Sequence, residues 1–296
     1  MASNPLISLL LPTRARPRLA ERFFRSVVAE STHPESVEII LYVDDDDVES
    51  HHLDSPDVRV HRIIGPRLTM GQYNSRCLAE ARGGIIVLAN DDMVIRTRGW
   101  DDRLRALDAS FDDGVYLAYG NDLFKGGKLC TFPILSRRTC ELLVEPYPVA
   151  YRGAFIDCHL FDIFKRLSHL GVDRIRYLED VIFEHLHFRT GKGELDTTYT
   201  QRGRFADDPD FLLLTDARRA AADRLWCAIQ GRPLPAPIPF TPDPNGMPPG
   251  MIGTIGFITR RVLLDGTLPL PWSSFLWYWF IGRQLAARGW LRPFVK

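Results

Sequence analysis

The 296-residue chain is 45% hydrophobic and 25% charged, which excludes an intrinsically disordered polymer and allows a substantial core without disulfide staples. Lys plus Arg equals Asp plus Glu at 37 each, so the net charge is zero and a protein built mainly to grip nucleic acid is not expected. The five cysteines (Cys77, Cys130, Cys140, Cys158 and Cys227) are scattered, odd in number and without CxxC spacing. A reducing compartment is therefore expected, rather than a disulfide framework or a thiolate zinc site.

The apolar run 6–11 is too short for a signal-peptide core and no basic stretch precedes it. The Trp-rich run 268–281 contains Pro269, Pro271 and two serines, and falls short of the ~20 apolar residues that cross a bilayer. A cytoplasmic protein is expected, the aromatic C-terminal run being the one segment that could touch a membrane from outside.

In chain order, residues 6–11 read as a buried strand stopping at Pro12, and 20–29 as a helix with Phe23, Phe24, Val27 and Val28 on one face. Residues 37–43 form a second buried strand that ends in Asp44-Asp45-Asp46-Asp47, and 58–64 a third. A helix over 70–81 is expected to close on Gly83-Gly84 as a left-handed cap. Residues 85–89 are a fourth strand, ending in Asn90-Asp91-Asp92. The alternation predicts an α/β fold with a largely parallel sheet, buried on both faces, whose carboxyl edge gathers the polar clusters.

Further along, a helix over 101–111, strands around Tyr116 and Thr131, a helix over 158–170 and a long strand over 174–186 are expected. Residues 190–208 carry Gly191, Gly193 and Gly203 and read as a mobile loop. A helix over 216–230 follows, then eight prolines within 233–249, expected as a linker or extended wrap. No internal repeat is evident.

Asp91 and Asp92 directly follow a buried strand. Adjacent carboxylates repel unless water or a cation offsets them, so they are either the seat of a hard divalent ion shared with phosphate oxygens or an acidic turn. The Asp44 to Asp47 run is either a solvated loop or a hydrogen-bonding point for a base or ribose. An acidic nucleophile motif of haloacid-dehalogenase-like phosphatases would also fit VDDDDVE, but those enzymes want a lysine between the two acidic motifs and none occurs before Lys125.

The succession LPTRARP, VEIILYVDDDD, GQYNSRCLAEARGGIIVLANDDM and RGWDDRL resembles the nucleotide-binding half of family 2 glycosyltransferases. The resemblance covers residues 5–107 closely and resumes at GAFIDCHLFDIFKRL and LEDVIFEHLHF, reaching about residue 190. It implies a GT-A-like, Rossmann-type, mostly parallel sheet flanked by helices, with a C-terminal helical and irregular extension. Residues 1–210 would be the transferase domain, divided into a nucleotide-binding half (1–110) and an acceptor and catalytic half (111–210), and residues 211–296 the extension.

Carried over position by position, the resemblance assigns Pro12, Thr13 and Arg14 to nucleotide contacts, Asp44 to the base and Asn74 to the helix before the metal strand. Asp91 falls nearer the ribose or sugar, and Asp92 on a Mn²⁺ or Mg²⁺ ion; the first position of the acidic motif is Asn90 rather than an acid. Trp100 matches a frequent aromatic, though a core tryptophan starting a helix explains it equally. Asp157 matches the base that deprotonates the acceptor hydroxyl in inverting members, or else is an N-cap; Asp180 is its rival. His185 and His187 fall on one strand face; His185 is the expected further metal ligand, and His187 orients it or lines the acceptor site.

The expected activity is thus transfer of a sugar from a nucleoside-diphosphate sugar, UDP-linked in the first instance, to a sugar, lipid-linked or small-molecule acceptor. Lys192, Arg202 and Arg204 would close the 190–208 loop over the diphosphate. Two other classes stay open: a sugar nucleotidyltransferase, for which the Gly-rich loop and lysine after the first strand are missing, and a non-catalytic nucleotide- or sugar-binding module. Trp272, Trp277, Tyr278, Trp279 and Trp290 are expected in the core by default; a dimer face, a lipid-surface contact and an acceptor platform are the other uses.

Overall fold

A computed structural model describes residues 5–187, 191–192, 203–242 and 246–290. The first half is a set of parallel strands with helical crossovers: β1 (Ile7–Thr13), α1 (Pro17–Glu30), β2 (Val37–Asp44), β3 (Arg59–Gly65), α2 (Met70–Glu80) and β4 (Ile85–Leu88). Then come β5 (Met93–Ile95), α3 (Trp100–Asp108), β6 (Leu117–Asn121), β7 (Ile134–Ser136), α4 (Arg137–Leu143), α5 (Ile156–His169) and β8 (Ile175–His185). The C-terminal part is helical: α6 (Asp208–Leu213), α7 (Thr215–Ile229), α8 (Met251–Ile258), a π-helical turn (Thr259–Leu263) and α9 (Leu270–Ala287).

The eight strands lie in the order β3-β2-β1-β4-β7-β6-β8-β5. β3, β2, β1 and β4 run parallel, as do β6 and β8, whereas β7 is antiparallel to both its neighbours and β5 is antiparallel to β8. This is the expected α/β fold, a mostly parallel sheet flanked by helices, with a C-terminal helical extension. β1, β2 and β4 are buried on both faces, which is why each reads as an unbroken apolar run, while β3 at the sheet edge alternates.

Two apolar clusters flank the sheet. One packs α1 and α3 on one face around Phe23, Trp100 and Phe183. The other packs α2, α4 and α5 on the opposite face and takes in Phe211, Leu225, Phe240, Leu276 and Phe280 from the C-terminal part. The two sides of residue 210 thus share one core. Trp100 is wholly buried, its Nε1 donating to Ser31 Oγ at 3.1 Å, as the core explanation requires. Among the described residues no helix is long and apolar enough to cross a membrane.

Several local expectations need correction. α2 ends with Ala81 in extended conformation, and neither Gly83 nor Gly84 takes a left-handed φ. Gly83 serves instead as a close approach to β1, since a Cβ there would meet Leu6 O at 2.5 Å. The strand expected around Thr131 begins only at Ile134, because Thr131 turns its hydroxyl to Asp122 and Pro133 cannot donate to a ladder. Most of the 190–208 loop, Arg202 included, lies outside the described residues. Residues 233–239 of the proline-rich segment are exposed, and Phe240 is buried against the His159 ring.

Candidate active site

The site begins where β1, β2 and β4 end side by side. Thr13 closes β1 and donates from Oγ1 to Asp91 Oδ2 at 2.8 Å; Arg16, in the following turn, donates to Asp91 Oδ1 at 3.0 Å. Arg14 donates to Asp44 Oδ2 at 2.5 Å and grips Asp46 with both terminal nitrogens, one of them at 2.8 Å. The turn carrying these cations is tied down by Asp47, whose carboxylate accepts the Ala15 backbone N–H at 2.6 Å. Ala15 needs that tether because its φ of 53° is a left-handed conformation that a residue with a Cβ rarely adopts. The Asp44 to Asp47 run is therefore divided: Asp44 and Asp47 are buried and bonded, Asp45 is exposed, and Asp46 is exposed but held by Arg14.

Asp44, wholly buried, receives a second donor from α2, the Tyr73 hydroxyl at 2.5 Å on Oδ1. α2 starts at this spot because Thr69 and Gln72 form a reciprocal capping box and the Gly71 N–H donates to Tyr151 O at 3.0 Å. Gly71 has no alternative, since a Cβ would lie 2.0 Å from Pro148 O. Burial and the neighbouring Asp44 raise the Tyr73 phenol above its ordinary value, so it remains a donor across the physiological range. Asn74 is buried one residue further on; its Nδ2 donates to Met70 O at 3.0 Å, within its own helix, so this expected residue is not bonded to the Asp44 set. Pro12 lies within β1, paired in register with Tyr42.

Asp92 meets His185 through strand register. β5 pairs with β8 so that Met93 faces His185, and Leu186 N–H closes the pairing on Asp92 O at 2.9 Å. His185 Nε2 then lies 3.2 Å from Asp92 Oδ2, both side chains being no more than a tenth exposed. β8 can reach β5 because of a register shift at Gly120/Asn121 in β6, where a Cβ on Gly120 would lie 2.4 Å from Val181 O. Phe132 and Phe124 pack edge-on to the His185 ring at 5.2 and 6.3 Å, and His187 stands 5.0 Å from it while stacking on Phe124. The two histidine rings thus lie close together, although His187 falls beyond the end of β8 and not on its face.

Asp91 and Asp92 side by side produce a strong field. Burial, opposed by Arg16 and reinforced by Asp92, pushes the Asp91 carboxyl up to about 6. Asp92 and His185 offer one carboxylate oxygen and one imidazole nitrogen that face each other. Among the described residues no cluster of three or more His, Cys, Asp or Glu side chains is gathered as a self-sufficient metal site. Two facing donors do not close a coordination shell, so a cation held here would complete it with ligands from outside the protein.

Asp157 is not the N-cap. That position is Phe155, in a left-handed conformation at φ 73°, and Asp157 sits in the first turn of α5, where its Oδ1 accepts the Cys158 N–H at 2.7 Å. Phe155 is held in this costly conformation from two sides. Asp207 accepts the N–H groups of Gly153 and Ala154 at 3.0 and 2.7 Å, and Phe211 and Phe280 pack on the Phe155 ring. A short relay connects α5 to His185: Cys130 Sγ donates to Asp157 O, Thr131 Oγ1 to Asp122 Oδ2 at 2.6 Å, and His185 N to Asp122 O at 3.0 Å. Asp180, the rival, is a surface residue paired with Arg103.

No family model matches the chain, and no curated protein matches it. Among solved structures it is similar to a mannosyltransferase from Pyrobaculum calidifontis, determined with GDP-Man and Mn²⁺. The two share 12% identity over 99% of this chain and 88% of that one, with a TM-score of 0.46. It is also similar to a glucosyl-3-phosphoglycerate synthase from Mycobacterium tuberculosis, determined with Mn²⁺, UDP and phosphoglyceric acid (16% identity, 78% and 80% coverage, TM-score 0.44). A third is TarS of S. aureus, of which 43% is covered at 15% identity and a TM-score of 0.45.

Four residues of the site were not singled out in the sequence: Arg16, Tyr73, Asp122 and Asp207. Asp122 is almost wholly buried and accepts three consecutive backbone N–H groups, from Phe124, Lys125 and Gly126, which folds the loop that carries Phe124 to His187. An Asx-type turn in Asn121-Asp122 followed by Gly126-Gly127 was the available signal. Tyr73 had none, because its importance depends on the register between α2 and β2.

Proposed function

We propose that the protein is a glycosyltransferase that takes a sugar from a nucleoside-diphosphate sugar and passes it, with inversion, to an acceptor hydroxyl. The observation that carries this reading is the meeting of Asp92 with His185 at the mouth of β4, beside the bonded set Thr13, Arg16 and Asp91. A buried carboxylate and imidazole at that position, next to two cationic side chains on a strand end, form a place for a diphosphate and its counter-ion.

In this reading Asp44, oriented by Tyr73 and Arg14, accepts a hydrogen bond from the base, and Asp91 faces the ribose or sugar. Asp92 and His185 hold a Mn²⁺ or Mg²⁺ ion, which when bound offsets the charge that grows on the departing diphosphate. Asp157 takes the acceptor proton. An aspartate is a weak base at neutral pH, so the proton moves late, when the acceptor oxygen is already bonding to the anomeric carbon. The Cys158 N–H, donating to Asp157 Oδ1 at 2.7 Å in the first turn of α5, orients that carboxylate.

The test is incubation with a panel of UDP- and GDP-sugars and Mn²⁺, with free nucleoside diphosphate as the readout. Release that depends on Asp92 supports the reading. Pyrophosphate exchange would mark a nucleotidyltransferase, and tight nucleotide binding without turnover a binding module.

A further inference from the structure

α8 and α9 form an antiparallel hairpin across the π-helical turn, fastened by Trp277 Nε1 to Thr259 Oγ1 at 3.0 Å and by Arg288 to Thr254 Oγ1 at 3.4 Å. Its inner side is core: Ile258, Val262, Trp272, Leu276 and Phe280 are all buried. The outer side breaks the usual rule for a surface helix, which puts charged residues opposite the apolar stripe. Ile252 is 89% exposed on α8, Tyr278 is 77% exposed on α9, and Phe275, Leu264 and Leu270 are exposed along the same hairpin.

We propose that this outer side of the α8–α9 hairpin rests on an anionic lipid bilayer, lying in the interface without crossing it. The charge pattern selects that partner. The chain as a whole is balanced, yet residues 246–290 contain four arginines (Arg260, Arg261, Arg283 and Arg288) and a single acid, Asp265. Asp265 is buried and bonded to Arg166, so the hairpin presents no carboxylate to solvent, while Arg260 and Arg288 are exposed. An apolar face rimmed by arginine and carrying amphipathic aromatics such as Tyr278 and Trp290 suits acyl chains below phosphate headgroups. A second copy of the chain suits it poorly, because a two-fold contact through this face would set Arg260 and Arg288 against arginines, and the one nearby exposed acid, Asp216, is already paired with Arg219 and Arg261. The inference does not depend on the transferase reading.

The experiment is flotation of the full-length protein with phosphatidylcholine vesicles, with and without phosphatidylglycerol, at low and high NaCl. The protein should float with the anionic vesicles and lose that binding at high salt, as screened surface charge requires. Tyr278→Glu, and separately Ile252→Glu, should each weaken binding roughly tenfold or more with little change in melting temperature, since these side chains are 77% and 89% exposed. Arg260→Ala with Arg288→Ala, which leaves the apolar face intact, should remove the preference for phosphatidylglycerol. Failure to float with anionic vesicles overturns the proposal, and so does equal flotation of these variants. A concentration-dependent dimer that the same Glu substitutions dissociate would also overturn it, by showing a second copy on the face.

Discussion

The C-terminal helices are joined to the α/β half by one buried ionic network, and Asp162 is where it can be cut. Asp162 Oδ2 accepts from Arg166 Nε at 2.9 Å and Arg218 Nε at 2.6 Å, while Oδ1 accepts from Trp272 Nε1 at 3.0 Å. One carboxylate with no exposed surface therefore ties α5 to α7 and α9. Asp162→Asn keeps the shape and an acceptor but removes the charge. Arg166 retains Asp265 at 2.7 Å. Arg218 keeps the Phe211 carbonyl and a place over the Phe211 ring but loses its carboxylate, and it is almost wholly buried. Leaving one such charge uncompensated costs about 3–5 kcal/mol, against a total of roughly 5–15 kcal/mol for a domain. Urea unfolding at pH 7, followed by tryptophan fluorescence, should show the midpoint falling by about a fifth or more with the slope unchanged.

The same network has a definite pH signature. Burial alone would raise the Asp162 carboxyl, but Arg166 and Arg218 outweigh it and hold it well below the usual carboxylate range. A group whose folded value is depressed contributes stability above its unfolded value of about 3.9 and loses it as pH falls further, toward the folded value. The wild type should therefore lose stability more steeply than Asp162→Asn below about pH 4, and the two curves should converge in acid. A loss under about 1 kcal/mol at pH 7, or parallel acid profiles, would refute the argument and mean that the two arginines find water or other partners.

Other expectations concern the site. Asp92→Asn should lower the affinity of UDP or GDP for the protein in the presence of Mn²⁺ by at least about tenfold, measured by calorimetry, while leaving metal-free binding little changed. Asp157→Asn should preserve donor binding and reduce transfer by roughly 10²-fold or more, a result that single-turnover product analysis would check. Tyr73→Phe removes one of the donors on Asp44; if Asp44 meets the base as proposed, the expected effect is a KM for the donor raised about fivefold with kcat nearly unchanged, since the lost bond would orient a binding contact and not the reacting atoms. Gly120→Ala should be far more damaging than a surface Gly→Ala change, because the added Cβ forces β6 and β8 apart and with them the Asp92 to His185 register; near-ultraviolet circular dichroism would report the loosened packing.

What could be read in the sequence follows from where water is. β1, β2 and β4 are buried on both faces and so spell continuous apolar runs, and the polar residues that end them were legible as one edge. The carboxylates Asp44, Asp91 and Asp92 are nameable for the same reason, since each closes or shortly follows such a strand, whereas His185 closes β8, a strand only partly buried, and was nameable through the resemblance alone. Their partners are different. Tyr73 on Asp44, Arg16 on Asp91 and Asp207 under residues 153 and 154 are separated in sequence by 29, 75 and more than 50 residues, and no local pattern encodes such meetings.

The misread elements are also instructive. Pro269 and Pro271 look like breakers of the aromatic run, yet they occupy the N-cap and the first turn of α9, where a missing N–H costs nothing. A proline pair followed by sixteen residues with one charge is thus the start of a helix rather than the end of one. That helix is apolar on all sides while only one side is covered by protein. Periodicity could not reveal it, because the period that marks a surface helix comes from its charged side, and α9 has none. Phe275 is accounted for in part by its stacks on Trp272 and Trp279, but Tyr278 is 77% exposed, and that is why the vesicle experiment bears on the sequence itself as well as on the fold.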